Sequence, residues 1–112
     1  MLDQGDIVLL PVPFTDLTSN RRRPVIVIST DSFNRLSADM VVVAMTSNLT
    51  TTPFSFVITS ADLVSGALNH PGRVRVDKVF TLAQSLAVKV FGRVSDAILD
   101  RIRQLLADLC RK

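Results

Sequence analysis

Cysteine and histidine are almost missing from this chain: Cys110 and His70 stand alone among its 112 residues. A single thiol cannot close an intramolecular disulfide. One thiol and one imidazole also fall short of the ligand set of a structural zinc. The carboxylates are scattered, without an Asp-x-Asp or Glu-x-x-Glu cluster for a hard ion, so neither a metal nor another cofactor is expected. Long apolar runs are lacking too. The longest, residues 40–45, is far short of the roughly 20 residues that a membrane-spanning helix needs. The opening MLDQGDIVLL has no basic n-region and no cleavage site of small residues. The expectation is a cytoplasmic protein with no membrane partner. No GxSxG, Walker loop, GxGxxG or HExxH occurs, and there is no repeat, low-complexity tract or linker. The length suits one domain over residues 1–112.

What is present is a packed, moderately basic globule, with 47% apolar and 21% charged residues, a net charge of +3 and a pI near 9.8. Net charge alone says little about partners, but its distribution says more. Arg21, Arg22 and Arg23 are consecutive, and Arg73 and Arg75 lie two apart.

Apolar patterning predicts strands over residues 7–12, 24–29, 40–46, 54–59, 73–82 and 87–94. Residues 13–23 make a long polar loop, and 32–39 a helical turn or loop. A short helix is placed in 60–68, before a turn at Asn69-His70-Pro71-Gly72. The period then changes. Ile98, Ile102, Leu105, Leu106 and Leu109 recur at helical spacing after Ser95, a plausible N-cap. Helices do not alternate with strands, so the expected fold is α+β: six short, mostly antiparallel strands closed into a small barrel, with one C-terminal amphipathic helix.

Candidate chemistry lies where polar residues end or interrupt apolar strands. Arg23 stands at a strand mouth, and Pro24 biases it to an extended conformation. Its planar fork suits two phosphate oxygens, although a solvated turn charge is the commoner situation. Thr46 ends an otherwise apolar strand and leads into Ser47 and Asn48, side chains that either orient a phosphate and read a base edge or cap a turn. In RVRVDKVF the two-residue period puts Arg73, Arg75 and Asp77 on one face. Arg75 and Asp77 are then either a structural ion pair or a charge-tuned acid–base pair. His70 reads as an exposed turn histidine, and Cys110 as packing on or near the apolar side of the helix. A chain with no nucleophile and no metal can still cleave RNA, because the substrate supplies the attacking 2′-OH. DNA, lacking that group, is inert by this route.

The stretch GDIVLLPVPFTDLTSNRRRPVIVIS resembles the opening of the PemK/MazF toxin family, VVVAMTS its second motif, and RVRVDKVFTL its third. The order of the three motifs matches as well, over almost the whole chain. The resemblance implies an SH3-like antiparallel barrel and usually a homodimer. It also implies metal-independent cleavage of single-stranded mRNA to a 2′,3′-cyclic phosphate and a 5′-OH, and a cognate antitoxin whose acidic segment blocks the site. On this resemblance Arg23 and Thr46 are catalytic, and Arg75 and Asp77 fall where some members place an acid–base pair. Arg21, Arg22, Ser47, Asn48, Arg73 and Lys78 become the candidate RNA-binding residues. The chain departs from its relatives at Lys78, where Gln is more usual, at Gly72, where some carry Ser, and in a first loop without the Gly-His-Glu-Gln type of sequence. Two other readings share the barrel. One is a non-enzymatic CcdB-like gyrase poison, the other a degenerate member that only binds RNA or an antitoxin.

Overall fold

The computed structural model describes residues 1–11 and 22–112. Val12, the predicted loop up to Arg21, and Arg21 itself lie outside the described residues. The elements run β1 (Asp6–Leu10), β2 (Arg23–Val27), α1 (Asp31–Leu36), β3 (Asp39–Thr46), β4 (Ser55–Ile58), β5 (Leu63–Gly66), β6 (Gly72–Ala83), β7 (Lys89–Val94) and α2 (Asp96–Leu109), with single 3₁₀ turns before β5 and after β6. The strands form one curled antiparallel sheet in the order β4-β6-β3-β2-β1-β7-β5, a half-barrel carrying a C-terminal helix. This is the mixed α+β architecture expected, with seven strands among the described residues rather than six.

The extra strand is β5, in the region read as a short helix. A helical start does form there. Thr59 caps the Ser60–Asp62 turn, and the Asp62 carboxylate accepts back from the Thr59 N–H in a capping box. One turn later the chain leaves the helix to pair with β7, Gly66 opposite Gly92. Gly66 has φ +77°, and a Cβ there would lie 2.2 Å from the Phe91 carbonyl oxygen. Only glycine allows so close an approach.

Alternation along the strands divides the interior in two. Ile7, Ile26, Val43, Met45, Phe56, Val74 and Val76 pack beneath α2, which contributes Ile98, Leu99 and Ile102. The Ser95 hydroxyl caps α2 by accepting from the Ile98 N–H at 3.3 Å, so the predicted start and buried stripe are both present. The opposite sheet face buries Val8, Leu10, Val25, Val27, Met40 and Val42. Cys110, expected near the apolar side, is instead exposed at the end of α2. The helical stripe has run out there, and Leu109 before it is already 38% exposed.

The β3–β6 ladder is irregular at one point. Val43 pairs with Val79, but the next residue, Ala44, pairs with Arg75. Residues 76–78 thus bulge out of the ladder. The freed Val76 N–H donates to the Phe54 carbonyl at 3.0 Å. A bulge bends its strand and re-aims side chains, and here it carries Asp77 and Lys78.

Candidate active site

The registers set out the site row by row. Val25 lies opposite Ala44, and Ala44 opposite Arg75, which faces Ser55 on β4. Two residues along, the same registers align Leu10, Arg23, Thr46 and Arg73. Side chains two apart share a face. Arg23, Thr46, Arg73 and Arg75 therefore continue the face that buries Val8, Val25 and Val42. Where that apolar face ends, these groups line a cleft of about 300 Å³ together with Ala44, Met45, Asn48, Thr50, Thr52 and Lys78. Among the described residues its charged lining groups are all cationic: three guanidiniums and one ammonium. Among the described residues, no three or more His, Cys, Asp or Glu side chains gather as a metal site.

Arg23 is half-buried, and its Nε is a buried donor with no hydrogen-bond partner among the described residues. Leaving such a group unpaired costs about 1–3 kcal/mol, so this N–H is held ready for an acceptor that the described residues do not supply. Thr46 is likewise half-buried. Its hydroxyl accepts from the Asn48 N–H at 3.1 Å, which leaves the hydroxyl proton for an acceptor in the cleft. The Asn48 side-chain oxygen in turn accepts from the Thr50 N–H at 3.0 Å. The predicted hydrogen-bonding row is thus also a chain of side-chain-closed turns.

Arg75 and Asp77 form the pair anticipated from alternation. Nε donates to Oδ1 at 2.9 Å and a terminal nitrogen to Oδ2 at 2.7 Å, a bidentate fork. That hydrogen bonding, aided by the charge attraction, holds the Asp77 carboxyl below the usual range and raises the Arg75 guanidinium. Arg75 lines the cleft, whereas Asp77 stands outside its lining on the bulge. The other terminal nitrogen of Arg75 has no protein partner among the described residues.

The remaining candidates separate. Lys78 and Asn48 line the cleft, Ser47 flanks it beside His70 and Pro71, and Arg22 is exposed outside it. Arg73 is only 7% exposed, and its guanidinium is engaged by the Leu49 carbonyl and the Ser55 hydroxyl. It lines the cleft as a buried guanidinium already bonded within the protein. Thr50 and Thr52 belong to the cleft and were not singled out from sequence. Their signal was the hydroxyl-rich run SNLTTTP, whose side-chain directions only the folded loop defines. No helix of the described residues is long and apolar enough to cross a membrane.

Comparisons with known proteins agree with this architecture. An endoribonuclease from a mycobacterial species, solved in complex with its cognate antitoxin, superposes with a TM-score of 0.75 at 24% identity, covering 96% of this chain and 93% of that one. MazF from Deinococcus radiodurans, solved with MazE, superposes with a TM-score of 0.72 at 24% identity, covering 96% and 93%. A search of curated proteins returns no significant match. Across residues 3–110 the sequence matches the model of the PemK-like, MazF-like toxins of type II toxin–antitoxin systems, and the chain belongs to that family.

Proposed function

We propose that this protein is an endoribonuclease toxin that cuts single-stranded RNA, without a metal ion, by attack of the ribose 2′-OH on the adjacent phosphate. The observation that carries the reading is the buried Nε–H of Arg23, unpartnered among the described residues, in a cleft whose described charged lining is cationic. A phosphodiester supplies what that cleft lacks: anionic oxygens that gain charge as the phosphorus becomes five-coordinate. Preorganised donors beside an apolar wall act there with little reorganisation.

In this mechanism the 2′-oxygen bonds to phosphorus as its proton is lost, and the bond from phosphorus to the 5′-oxygen breaks. The products are a 2′,3′-cyclic phosphate and a 5′-OH. Arg23 neutralises the phosphorane and hydrogen-bonds the departing 5′-oxygen, which takes its proton from solvent water, while the Thr46 hydroxyl donates a hydrogen bond to a phosphate oxygen. Arg75 adds a second guanidinium, and Lys78, Arg21 and Arg22 attract flanking phosphates, which makes binding salt-sensitive. Asp77 is the sequence-based candidate for the 2′-OH proton. Both its oxygens are occupied by Arg75 and its basicity is reduced. We therefore assign it to holding the Arg75 fork, with the proton passing to solvent water.

Two partners are proposed, the antitoxin on the cationic cleft and the solved toxin–antitoxin complexes of similar proteins, the homodimer on family membership alone. A cognate antitoxin would block the cleft with acidic side chains in place of phosphates, and the active form would be a homodimer. The test is cleavage of a long 5′-labelled RNA in excess EDTA by wild type and Arg23→Ala. Discrete bands from wild type alone are expected. Intact RNA from folded, antitoxin-free protein would favour the gyrase-poison or binding-only reading.

A further inference from the structure

The segment between β3 and β4, residues 47–53, forms one wall of the cleft and presents Asn48, Thr50 and Thr52 to it. No backbone-to-backbone hydrogen bond holds this wall among the described residues. Its local ties are side-chain ones: Asn48 N–H to the Thr46 hydroxyl, Thr50 N–H to the Asn48 side chain, and the Ser55 hydroxyl to the Thr52 carbonyl at 2.6 Å. One anchor reaches it from a distant element. Arg73, on β6, donates from Nε at 3.3 Å and from a terminal nitrogen at 3.1 Å to the Leu49 carbonyl, and from its other terminal nitrogen at 3.0 Å to the Ser55 hydroxyl. The planar fork thus clamps the loop midpoint and the start of β4 together. A lysine cannot reproduce that geometry.

We infer that Arg73 is a positioning residue that fixes the 47–53 wall as the base-facing side of the cleft, and so sets which RNA sequences are cut. The inference rests on the nuclease reading above. An amide and two hydroxyls can tell bases apart only if they are held still, since a hydrogen-bonding site discriminates by leaving its groups unpaired against the wrong ligand. Arg73 itself is buried, and all three of its side-chain nitrogens donate within the protein, so its assigned role is to hold the wall rather than a phosphate.

The test compares wild type, Arg73→Lys, Arg73→Gln and Ser55→Ala. Three readouts are taken: backbone amide order parameters across residues 47–53, kcat/KM on a cleaved RNA against its single-base variants, and the salt dependence of RNA binding. Ser55→Ala removes one arm of the clamp by a small change and serves if Arg73→Lys does not fold. The inference expects order parameters in the wall to fall from about 0.85 toward 0.6. It also expects discrimination between cleaved and variant sequences to drop by roughly tenfold or more, with the slope of log K on log salt unchanged. A salt slope reduced by about 0.7 in Arg73→Gln, which removes the charge that Arg73→Lys keeps, with discrimination intact, would make Arg73 a phosphate ligand and overturn the inference. So would an unchanged, ordered wall. An active wild type whose variants keep full discrimination refutes the selectivity claim alone, whereas an inert wild type removes the nuclease reading with it.

Discussion

Replacing Arg23 by methionine should make the protein more stable and nearly inactive. Methionine keeps an unbranched, adaptable stem against Leu10, Val25 and Ala44, and it removes the Nε donor that the described fold leaves buried and unpaired. An unsatisfied buried donor costs about 1–3 kcal/mol, and part of that is recovered when the group is deleted. A gain of about 1 kcal/mol in a domain of this size raises Tm by roughly 4 °C. Loss of one donor to a developing oxyanion lowers kcat by about 10²–10³, while ground-state RNA affinity changes much less. Thermal melts by circular dichroism and single-turnover cleavage on the same preparation read both quantities. The opposite outcome, a Tm several degrees lower with cleavage near wild type, would make Arg23 a structural residue and refute the reasoning.

Three further perturbations probe other parts of the molecule. Asp77→Asn should lower kcat by less than about tenfold, because Asn still accepts from Arg75, whereas loss of a general base would cost about 10²–10⁴. The folded-state pKa of Asp77 is depressed by Arg75. Its stabilising contribution is therefore complete above about pH 4 and lost as pH falls through the lower folded value, so melts at decreasing pH should show a smaller acid loss in the variant. Arg93→Met leaves Asp6, 6% exposed, without the guanidinium that donates to it at 3.1 Å. Because the Arg93 side chain is 43% exposed, solvent screens the pair, and the cost read by urea unfolding should be about 1–2 kcal/mol. Gly66→Ala, at a left-handed φ and against the Phe91 carbonyl, should cost more than about 1 kcal/mol and loosen the β5 edge, read as faster amide exchange in β5 and the facing part of β7.

Features written in local pattern were legible before folding. α2 announces itself by its cap and its 3.6-residue stripe, and β2 and β3 by β-branched apolar runs. The Arg75–Asp77 pair followed from two-residue alternation alone. What was missed depends on partners distant in sequence. Thr59 and Asp62 do signal a helix start, but pairing with β7 captures the chain after one turn. The bulge at residues 76–78 exists only relative to the β3 register. The burial of Arg73 follows from the Leu49 carbonyl and Ser55, reached from 24 and 18 residues away. Alternation gives the face of a charged side chain, not whether the loop above it closes.

The most direct test of metal-free attack by the 2′-OH uses a cleaved RNA oligonucleotide and a copy with a single 2′-deoxy nucleotide at the scissile position, both in excess EDTA. The mechanism predicts that the all-ribose strand is cut to a fragment whose mass shows a 2′,3′-cyclic phosphate, and that the deoxy copy stays intact at that bond. Cleavage of the deoxy copy, or no cleavage of the ribose strand until a divalent metal is restored, would contradict it.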